Sequence, residues 1–465
     1  MSKPIIGPTL RRLRTAQGLS QQSLAQKLGI STSYLNLIEH DQRGVTANLL
    51  FKLAKILDVD LDTLSGDQER DYAIKLREVF ADPMLGIEDV PESETQAIAA
   101  AAPNAIRAIL ALHRAWQGAR EDSDGITLPS GRRILLPNEE VREYFHTHSN
   151  HFPSLEQAAE AISSTLQSAI IGTNHALAER LRQKHGLVVV VRPLPGNRRI
   201  FDPAARLLTL SETLSRESRG FQMAFQLAML ECRDVFEALV RMASPTSPDA
   251  AELLRVGLLN YIAGAIIMPY EPFLACAEEF RYDVDFIAAR FGVSYEQACQ
   301  RLSSLQRSGA RGVPFFFLRV DPAGNVSKRF SAAGFPFMRF GGTCPRWIVH
   351  SAFATPGTTR VQIAQLPDGQ TFLCFARAIA GRPARWGDPP PIHVVAMGCD
   401  IAQRDSLAYS DGIDVEKAAV GIGLSCRLCD RQDCRSRAFP PLAHRLTLDP
   451  KTSSASPYSF EAKRK

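Results

Sequence analysis

Leu19-Ser-Gln-Gln-Ser-Leu-Ala-Gln-Lys-Leu-Gly-Ile-Ser-Thr-Ser-Tyr-Leu-Asn-Leu-Ile-Glu39 reads as two short helices around a tight turn. Ser20 is a good N-cap, Leu24, Ala25 and Leu28 form an apolar stripe at helical spacing, and Gly29 supplies the left-handed conformation that ends a helix. Ser31 caps the next helix, where Leu35 and Ile38 face inward. Thr32, Ser33, Tyr34 and Asn36 are thereby left on or near its outer face, at the end that meets base edges when such a unit enters DNA. Leu10 and Leu13 give a preceding helix its buried side, Asn48 to Leu57 a following one, and Asp62-Thr-Leu64 suggests a last turn.

This pattern closely resembles the Cro/C1 (XRE) helix-turn-helix family of phage repressors, over about residues 9–64. The resemblance implies that Gln21, with Gln22 beside it, contacts phosphate or base, and that Arg14 pairs with Glu39. A helical protein-interaction module is the alternative, and the polar outer face of the second helix argues against it. Residues 1–64 carry eight Lys/Arg and five Asp/Glu. That balance of +3 suits a dimer reading two half-sites better than one monomer.

At 465 residues the chain has room for three or four units. Hydrophobic and charged shares of 45% and 22% are those of an ordinary globular protein and exclude a disordered tail. No run reaches the roughly 18 apolar residues of a membrane span, and no apolar stretch follows Met1-Ser-Lys-Pro, so a cytoplasmic location and no membrane partner are expected. Nine cysteines, an odd number, point to thiols or metal ligation and away from a disulfide framework. There is no internal repeat.

Gly66 to Arg70 reads as a hinge, and helices are expected at 71–80 and 105–116, separated by a break at 81–86 and followed by a loop at 122–125. Together they form a helical connector and a candidate dimer seam. From Leu155 a long helix is expected, then a buried strand at Gly186–Arg192 and a strand pair within 200–210 turning at Asp202-Pro203. The helix around 219–231 then resembles that of the ImmA/IrrE zinc peptidases, in which His-Glu-x-x-His binds zinc and activates water. Here those positions hold Phe225, Gln226 and Met229. A phenyl ring cannot ligate zinc, a carboxamide is no general base, and a lone thioether is a poor ligand for this ion. A core helix unrelated to peptidases would equally lack hydrolytic chemistry.

The segments Tyr261–Phe273, Arg281–Asp283, Arg290–Leu302, Gly312–Asp321 and Gly324–Lys328 are similar, in order, to the short-chain fatty-acyl transcriptional regulators of bacteria. The resemblance implies a multidomain chain. It would join an all-α helix-turn-helix head over 1–66, a helical connector over 67–150, an α+β metallopeptidase-like middle over 151–309 and an α+β C-terminal sensor domain over 310–465. Phe291 to Leu302 itself mimics a second helix-turn-helix, but the apolar run from Val313 to Leu318 leaves it little freedom.

Cys426-x2-Cys429-x4-Cys434 places three sulfurs within nine residues and implies a shared centre. Cys399 is the first candidate for a fourth ligand, with Cys344 and, for zinc, His444 as others. Thiolates suit zinc or an iron–sulfur cluster. Arg427, Arg431, Arg435 and Arg437 around the sulfurs, and the occurrence of such a cluster in some members of the resembled family, favour iron–sulfur. Cys232, Cys276, Cys299 and Cys374 sit in apolar contexts and read as core. The aromatic-rich stretch 330–386 suggests a ligand chamber. The resemblance implies a short-chain acyl-CoA effector there, with Trp347 in the chamber wall and Arg346, Arg360 and Arg377 as phosphate partners. The expected whole is a dimeric, non-enzymatic regulator that binds an operator in double-stranded DNA and controls acyl-CoA metabolism. The alternatives are a metal or redox sensor acting by protein contact and, less well supported, a zinc peptidase.

Overall fold

The computed structural model describes residues 6–40, 42–57, 59, 67–81, 90–121, 137–166, 172–337, 343–381, 386–441, 444–447, 451–452 and 454–460. The turn expected at 62–64, the start of the hinge at 66, the break at 82–86, the loop at 122–125 and positions 338–342 of the aromatic stretch lie outside them. The chain forms two compact units. One comprises residues 1–133, 336–344 and 423–465, the other 134–335 and 345–422.

The first unit opens with four helices, α1 (Gly7–Ala16), α2 (Gln21–Leu28), α3 (Thr32–Glu39) and α4 (Ala47–Leu57). Their apolar stripes meet in one core of Leu10, Leu24, Leu28, Leu35, Ile38, Leu53 and Leu57. The connector follows as α5 (Asp67–Phe80), α6 (Glu92–Ala101) and α7 (Pro103–Glu121). Leu76 and Val79 pack with Ala99, Ile106 and Leu110 in a small separate core. Helix α6, rich in alanine, has too weak an apolar stripe to stand out in the sequence.

The second unit starts at α8 (Pro137–Thr147), inside the span expected for the connector. Helices α9 (Pro153–Leu166) and α10 (Thr173–His185) precede strands β1 (Val188–Arg192), β2 (Arg199–Asp202) and β3 (Leu207–Ser211). The three strands form a small sheet in the order β1-β3-β2, with β1 parallel and β2 antiparallel to β3. Helices α11 (Arg216–Glu231), α12 (Arg233–Ala243), α13 (Pro248–Ile267), α14 (Tyr270–Glu279), α15 (Val284–Phe291) and α16 (Tyr295–Leu302) complete the helical part. Contrary to the sequence reading, α13 is long and apolar enough to cross a membrane. Its apolarity has another cause here, because α13 packs against α9 and α11 and buries Leu254, Leu258, Ile262 and Ile266.

A six-stranded sheet follows: β4 (Phe316–Val320), β5 (Val326–Ser331), then short helix α17 (Ile348–Ser351), then β6 (Arg360–Gln365), β7 (Thr371–Ala380), β8 (Ile392–Asp400) and β9 (Ala419–Gly421). The order is β5-β4-β8-β7-β6-β9, antiparallel except for β6 and β9. Gly398 of β8 is needed for a close approach, since a Cβ there would lie 2.5 Å from the Phe316 ring and 2.8 Å from the Leu373 carbonyl. The expected boundary at 309/310 is not a structural one. Phe315, Phe317, Phe375 and Met397 share one core with Leu258 and Leu302, and residues 423–465 belong to the first unit.

The apparent second helix-turn-helix is α15 and α16. Gly292 has φ +64° and Ser294 makes a complete capping box with Gln297, so the sequence likeness is locally accurate. The second helix is nevertheless no reader, because Ala298, Cys299, Arg301 and Leu302 are buried. Arg301 pairs with Glu156 of α9 at 2.6 and 2.9 Å and also donates to the Met268 carbonyl at 2.9 Å. Tyr261 of α13 donates to the same carboxylate at 2.5 Å. Burial works to raise the Glu156 pKa, but the Arg301 charge and the hydrogen bonds outweigh it and hold it below the usual carboxylate range.

Removing one partner of a buried pair strands the other charge, so Arg301→Met is expected to cost about 3–5 kcal/mol in urea unfolding, and Glu156→Met/Arg301→Met together much less. Because the folded pKa of Glu156 is depressed, its contribution is full above the ordinary carboxylate pKa and disappears as pH falls through the lowered value. Arg301→Met should therefore also flatten the acid limb of the stability profile. An unchanged midpoint in both measurements would refute a structural role for the pair.

Candidate nucleic-acid interface and cysteine loop

The head is built by its caps. Ser20 Oγ accepts from the Ser23 N–H and Ser31 Oγ from the Tyr34 N–H, each at 3.1 Å, and Gly29 at φ +71° turns the chain between α2 and α3. The angle of α3 is then fixed by one carboxylate. Glu39 is 3% exposed and accepts from Arg14 Nε at 2.6 Å, Arg14 Nη2 at 3.1 Å and Gln21 Nε2 at 2.7 Å. Burial alone would raise its pKa; the hydrogen bonds from Arg14 and Gln21 and the Arg14 charge bring it below the usual range. Arg14 also donates to the Leu19 carbonyl at 2.8 Å, tying α1 to the start of α2.

Of the residues expected to face DNA, Gln22, Thr32, Ser33 and Asn36 are exposed. Tyr34 is half-buried, with the Arg43 guanidinium 5.5 Å from its ring centre. Gln21 is half-buried, and its amide nitrogen donates to Glu39 and, at 3.3 Å, to the Asn36 side-chain Oδ1. Gln21 thus orients Asn36 and leaves the Asn36 NH2 as a donor. The sequence reading had not given Gln21 this supporting role.

In the peptidase-like middle, α11 carries Phe225 and Gln226 into the core, 8% and 0% exposed, with Met229 half-buried. Neither amide atom of Gln226 has a hydrogen-bond partner among the described residues. Arg199 of β2 lies with its guanidinium 4.1 Å from the Phe225 ring centre, and burial pulls its pKa down to about 10. None of the side chains at these three positions can serve as a zinc ligand or general base of a peptidase.

The cysteines divide between the units. Cys399, the first choice for a fourth ligand, lies in β8 at 0% exposure in the core of the second unit, opposite Leu373. Its strand position faces it into packed apolar side chains, whereas Cys426, Cys429 and Cys434 belong to the first unit. Cys344 is the cysteine that belongs with them, near enough to bear on the Cys429 thiol. Burial pushes that thiol up, opposed by the Arg431 N–H and by Arg437. Only glycine lets the backbone at 423 pass here, since a Cβ would meet Cys429 Sγ at 2.8 Å. The Ala438 N–H points to Cys426 Sγ at 3.4 Å. His444 is engaged by Asp430 at 2.9 Å and stacks on Phe460. Among the described residues no three His, Cys, Asp or Glu side chains converge tightly enough to hold a metal ion. Cys232, Cys276, Cys299 and Cys374 are buried core residues, as expected.

Among the described residues, two of the expected chamber residues are engaged in packing. Trp347 is 3% exposed and stacks on Phe335, with ring centres 5.0 Å apart, so it is part of the packing beneath the sheet. Arg377 grips Asp285 with both terminal nitrogens, donates to Thr359 at 3.0 Å and covers the Tyr295 ring. It is a structural cation and has little left to offer a phosphate. Arg346 and Arg360 are exposed.

Arg14→Met is expected to destabilise the head by about 3 kcal/mol and to weaken binding to every duplex alike, because it releases the whole of α3 rather than one base contact. Loss confined to one sequence would refute that role. With Cys426, Cys429 and Cys434 changed to Ser, the protein is expected to hold no stoichiometric zinc and to cut no peptide bond in a chelator-sensitive way. Zinc retained by α11 would overturn the reading of Phe225, Gln226 and Met229.

Comparison with known proteins matches three successive stretches of the chain. Residues 10–64 match the family described as helix-turn-helix, residues 182–303 the IrrE N-terminal-like domain, and residues 304–458 the C-terminal domain of the short-chain fatty acyl coenzyme A regulators. The chain is 41% identical to the HTH-type transcriptional regulator RamB of Mycobacterium tuberculosis, over 98% of this chain and 99% of that protein. It is 38% identical to a propionyl-CoA carboxylase regulator of Cereibacter sphaeroides, over 98% of each. The solved structure of a Mycobacterium tuberculosis transcriptional regulator superposes with a TM-score of 0.67 at 39% identity, over 70% of this chain and all of that one. The capped and braced head, the peptidase-like middle without peptidase residues and the near full-length likeness to these regulators together place the chain in the short-chain fatty acyl coenzyme A regulator family of helix-turn-helix transcriptional regulators.

Proposed function

We propose that this protein binds an operator as a homodimer, regulates genes of short-chain fatty-acid or acyl-CoA metabolism, and changes its DNA affinity in response to a short-chain acyl-CoA. The observation that carries the DNA reading is the exposed row Thr32, Ser33 and Asn36 on a helix held at a fixed angle by Glu39, Arg14 and Gln21. Hydroxyl and amide groups presented this way can read the donor and acceptor pattern of the major groove, while Arg43 and Gln22 would serve phosphates. A head with so modest a positive charge gains its affinity from two copies on two half-sites. The effector reading is supported by the family match over 304–458 and by the relative whose name refers to propionyl-CoA carboxylase. Since Arg377 and Trp347 are committed to packing, Arg346 and Arg360 are the retained phosphate candidates.

We also propose a thiolate-ligated centre on Cys426, Cys429 and Cys434, with Cys344 in place of Cys399 as fourth ligand, and favour iron–sulfur over zinc. The fit rests on the donor set and on two features of the loop: the glycine at 423 that leaves the Cys429 sulfur room, and the buried Arg437 Nε without a partner. Such a centre, when bound, would supply a cross-link whose presence depends on metal and redox conditions. The chain's own contribution is to exclude water from Cys429 and Cys434 and direct the Ala438 N–H at Cys426, and the sulfurs would have to draw together on binding a metal.

Gel shifts on the protein's own upstream region are expected to show a discrete dimer complex whose affinity changes with propionyl-CoA or acetyl-CoA but not with free CoA. Ser33→Ala/Asn36→Ala should erase the preference for that region, each good base contact being worth about 1–3 kcal/mol. The coupling must be reciprocal, so operator DNA should alter acyl-CoA affinity by the same factor. Sequence preference intact in the double variant would refute the recognition surface, and insensitivity to every acyl-CoA would remove the proposed signal. Anaerobically purified protein should be brown and lose its colour on Cys→Ser change at 344, 426, 429 or 434, whereas stoichiometric zinc in a colourless protein would replace iron–sulfur with zinc.

A further inference from the structure

The small sheet of the second unit, ordered β1-β3-β2, has two edges of different character. Strand β2 is four residues long, carries Arg199 and Asp202, and runs into Pro203. Shortness, charge and proline are what keep an edge from pairing. Strand β1 is Val188-Val-Val-Val-Arg192, with Val188 and Val191 53% and 46% exposed and no charge before Arg192. On the face that carries Val188 and Val190 lie half-buried Leu207 and exposed Ile200, so the edge borders an apolar surface.

Backbone polarity decides what fits this edge. The Val188 N–H donates to the Arg206 carbonyl at 2.9 Å, and the Arg192 carbonyl accepts from the Glu212 N–H at 3.0 Å. Val188, Val190 and Arg192 therefore turn their peptide groups toward β3, and those of Val189 and Val191 point to the open side, where no hydrogen-bond partner stands among the described residues. The next outward positions are closed. The Leu187 N–H is engaged by the Leu181 carbonyl at 3.1 Å, and Pro193 has no N–H. Two donors and two acceptors remain, placed symmetrically about Val190.

We infer that β1 pairs antiparallel with β1 of a second copy about a two-fold axis through Val190, joining two three-stranded sheets into one of six strands. In that register Val189 of each copy faces Val191 of the other and exchanges both hydrogen bonds, and the two Val190 side chains meet on the axis. A shift by two residues brings Pro193 opposite Val189, or Leu187 opposite Val191, and loses bonds. An unstructured peptide could make the same bonds only at the entropic cost of becoming extended, whereas β1 is already held extended by β3. Charge agrees with a second copy. Each Arg192 falls opposite an uncharged Val188, and the two arginines stand about 13 Å apart along the strands, beyond a Debye length. This names the interface of the proposed homodimer and rests on that reading.

Full-length V190C, V188C and the distant control M242C can be oxidised with diamide and run without reductant beside wild type. In the two-fold register the Cα atoms at 190 approach to about 4.5 Å, within disulfide reach, while those at 188 are about 13 Å apart. V190C is expected to give a covalent dimer, V188C and M242C no more than wild type, and V188C/R192C to regain the link. V190K sets two ammonium groups side by side and should weaken the dimer about fivefold in sedimentation, like charges directly opposite in a sheet being destabilising. A dimeric protein in which V190C gives no link, or in which V190K sediments as wild type does, overturns the inference while the homodimer stands. Wild type that sediments as a monomer, free and on its own upstream DNA, overturns both. Should V190K fail to fold by circular dichroism, the cysteine variants decide alone.

Discussion

Glu156 and Arg301 leave water together, and the second unit is arranged around making that tolerable. An unpaired charge in such a place would be prohibitive, so the pair demands that α9 and α16 sit where both oxygens meet both guanidinium nitrogens, that Tyr261 of α13 reach the same carboxylate, and that the Met268 carbonyl close the last donor site. Apolar packing alone tolerates sliding by a fraction of a turn, whereas these bonds do not. The head repeats the solution on a smaller scale. Glu39 is drawn into the core, and Arg14 and Gln21 must come from α1 and α2 to meet it. The surface that faces outward is thus fixed by polar chemistry on the inward side.

Helix α11 shows how a fold survives the loss of its chemistry. The strands and helices around it need a helix with an apolar inner face, and Phe225 serves that need better than histidine would. Gln226 keeps the outline of a glutamate without its charge, at the cost of an amide that meets no partner among the described residues. What remains is a platform joined to a sheet, and the core that runs from α13 into β4, β7 and β8 makes platform and sheet one body. Within that unit, any ligand bound to the sheet would act on a rigid object.

Features governed by neighbours in sequence were legible beforehand. The caps at Ser20 and Ser31, the glycine at 29 and the strand at 188–192, though not the burial expected of it, follow from local spacing, while the degenerate triad came from the resemblance. Features decided by long-range partners were not. Arg301 and Glu156 stand 145 positions apart and look like ordinary surface charges until the chain folds. Arg377 looked free for a phosphate because nothing nearby in sequence announces Asp285. The resemblance placed a domain start at 310, and nothing local in the run into β4 showed that its strand shares a core with α13, since a strand covered on both faces carries no alternation to show which core it enters. Likewise, spacing could count four arginines among the sulfurs but not say that only Arg437 is buried.

The first unit is discontinuous, assembled from residues 1–133, 336–344 and 423–465 with the second unit inserted between its parts. A ribosome delivers these parts in order, so the four-helix head, whose core is wholly local, can fold while most of the chain is still unmade. The cysteine loop emerges only after the inserted unit has been synthesised. Assembly of the first unit therefore reports that the inserted unit has been synthesised, and a fragment cut at residue 310 would sever both units rather than release a domain.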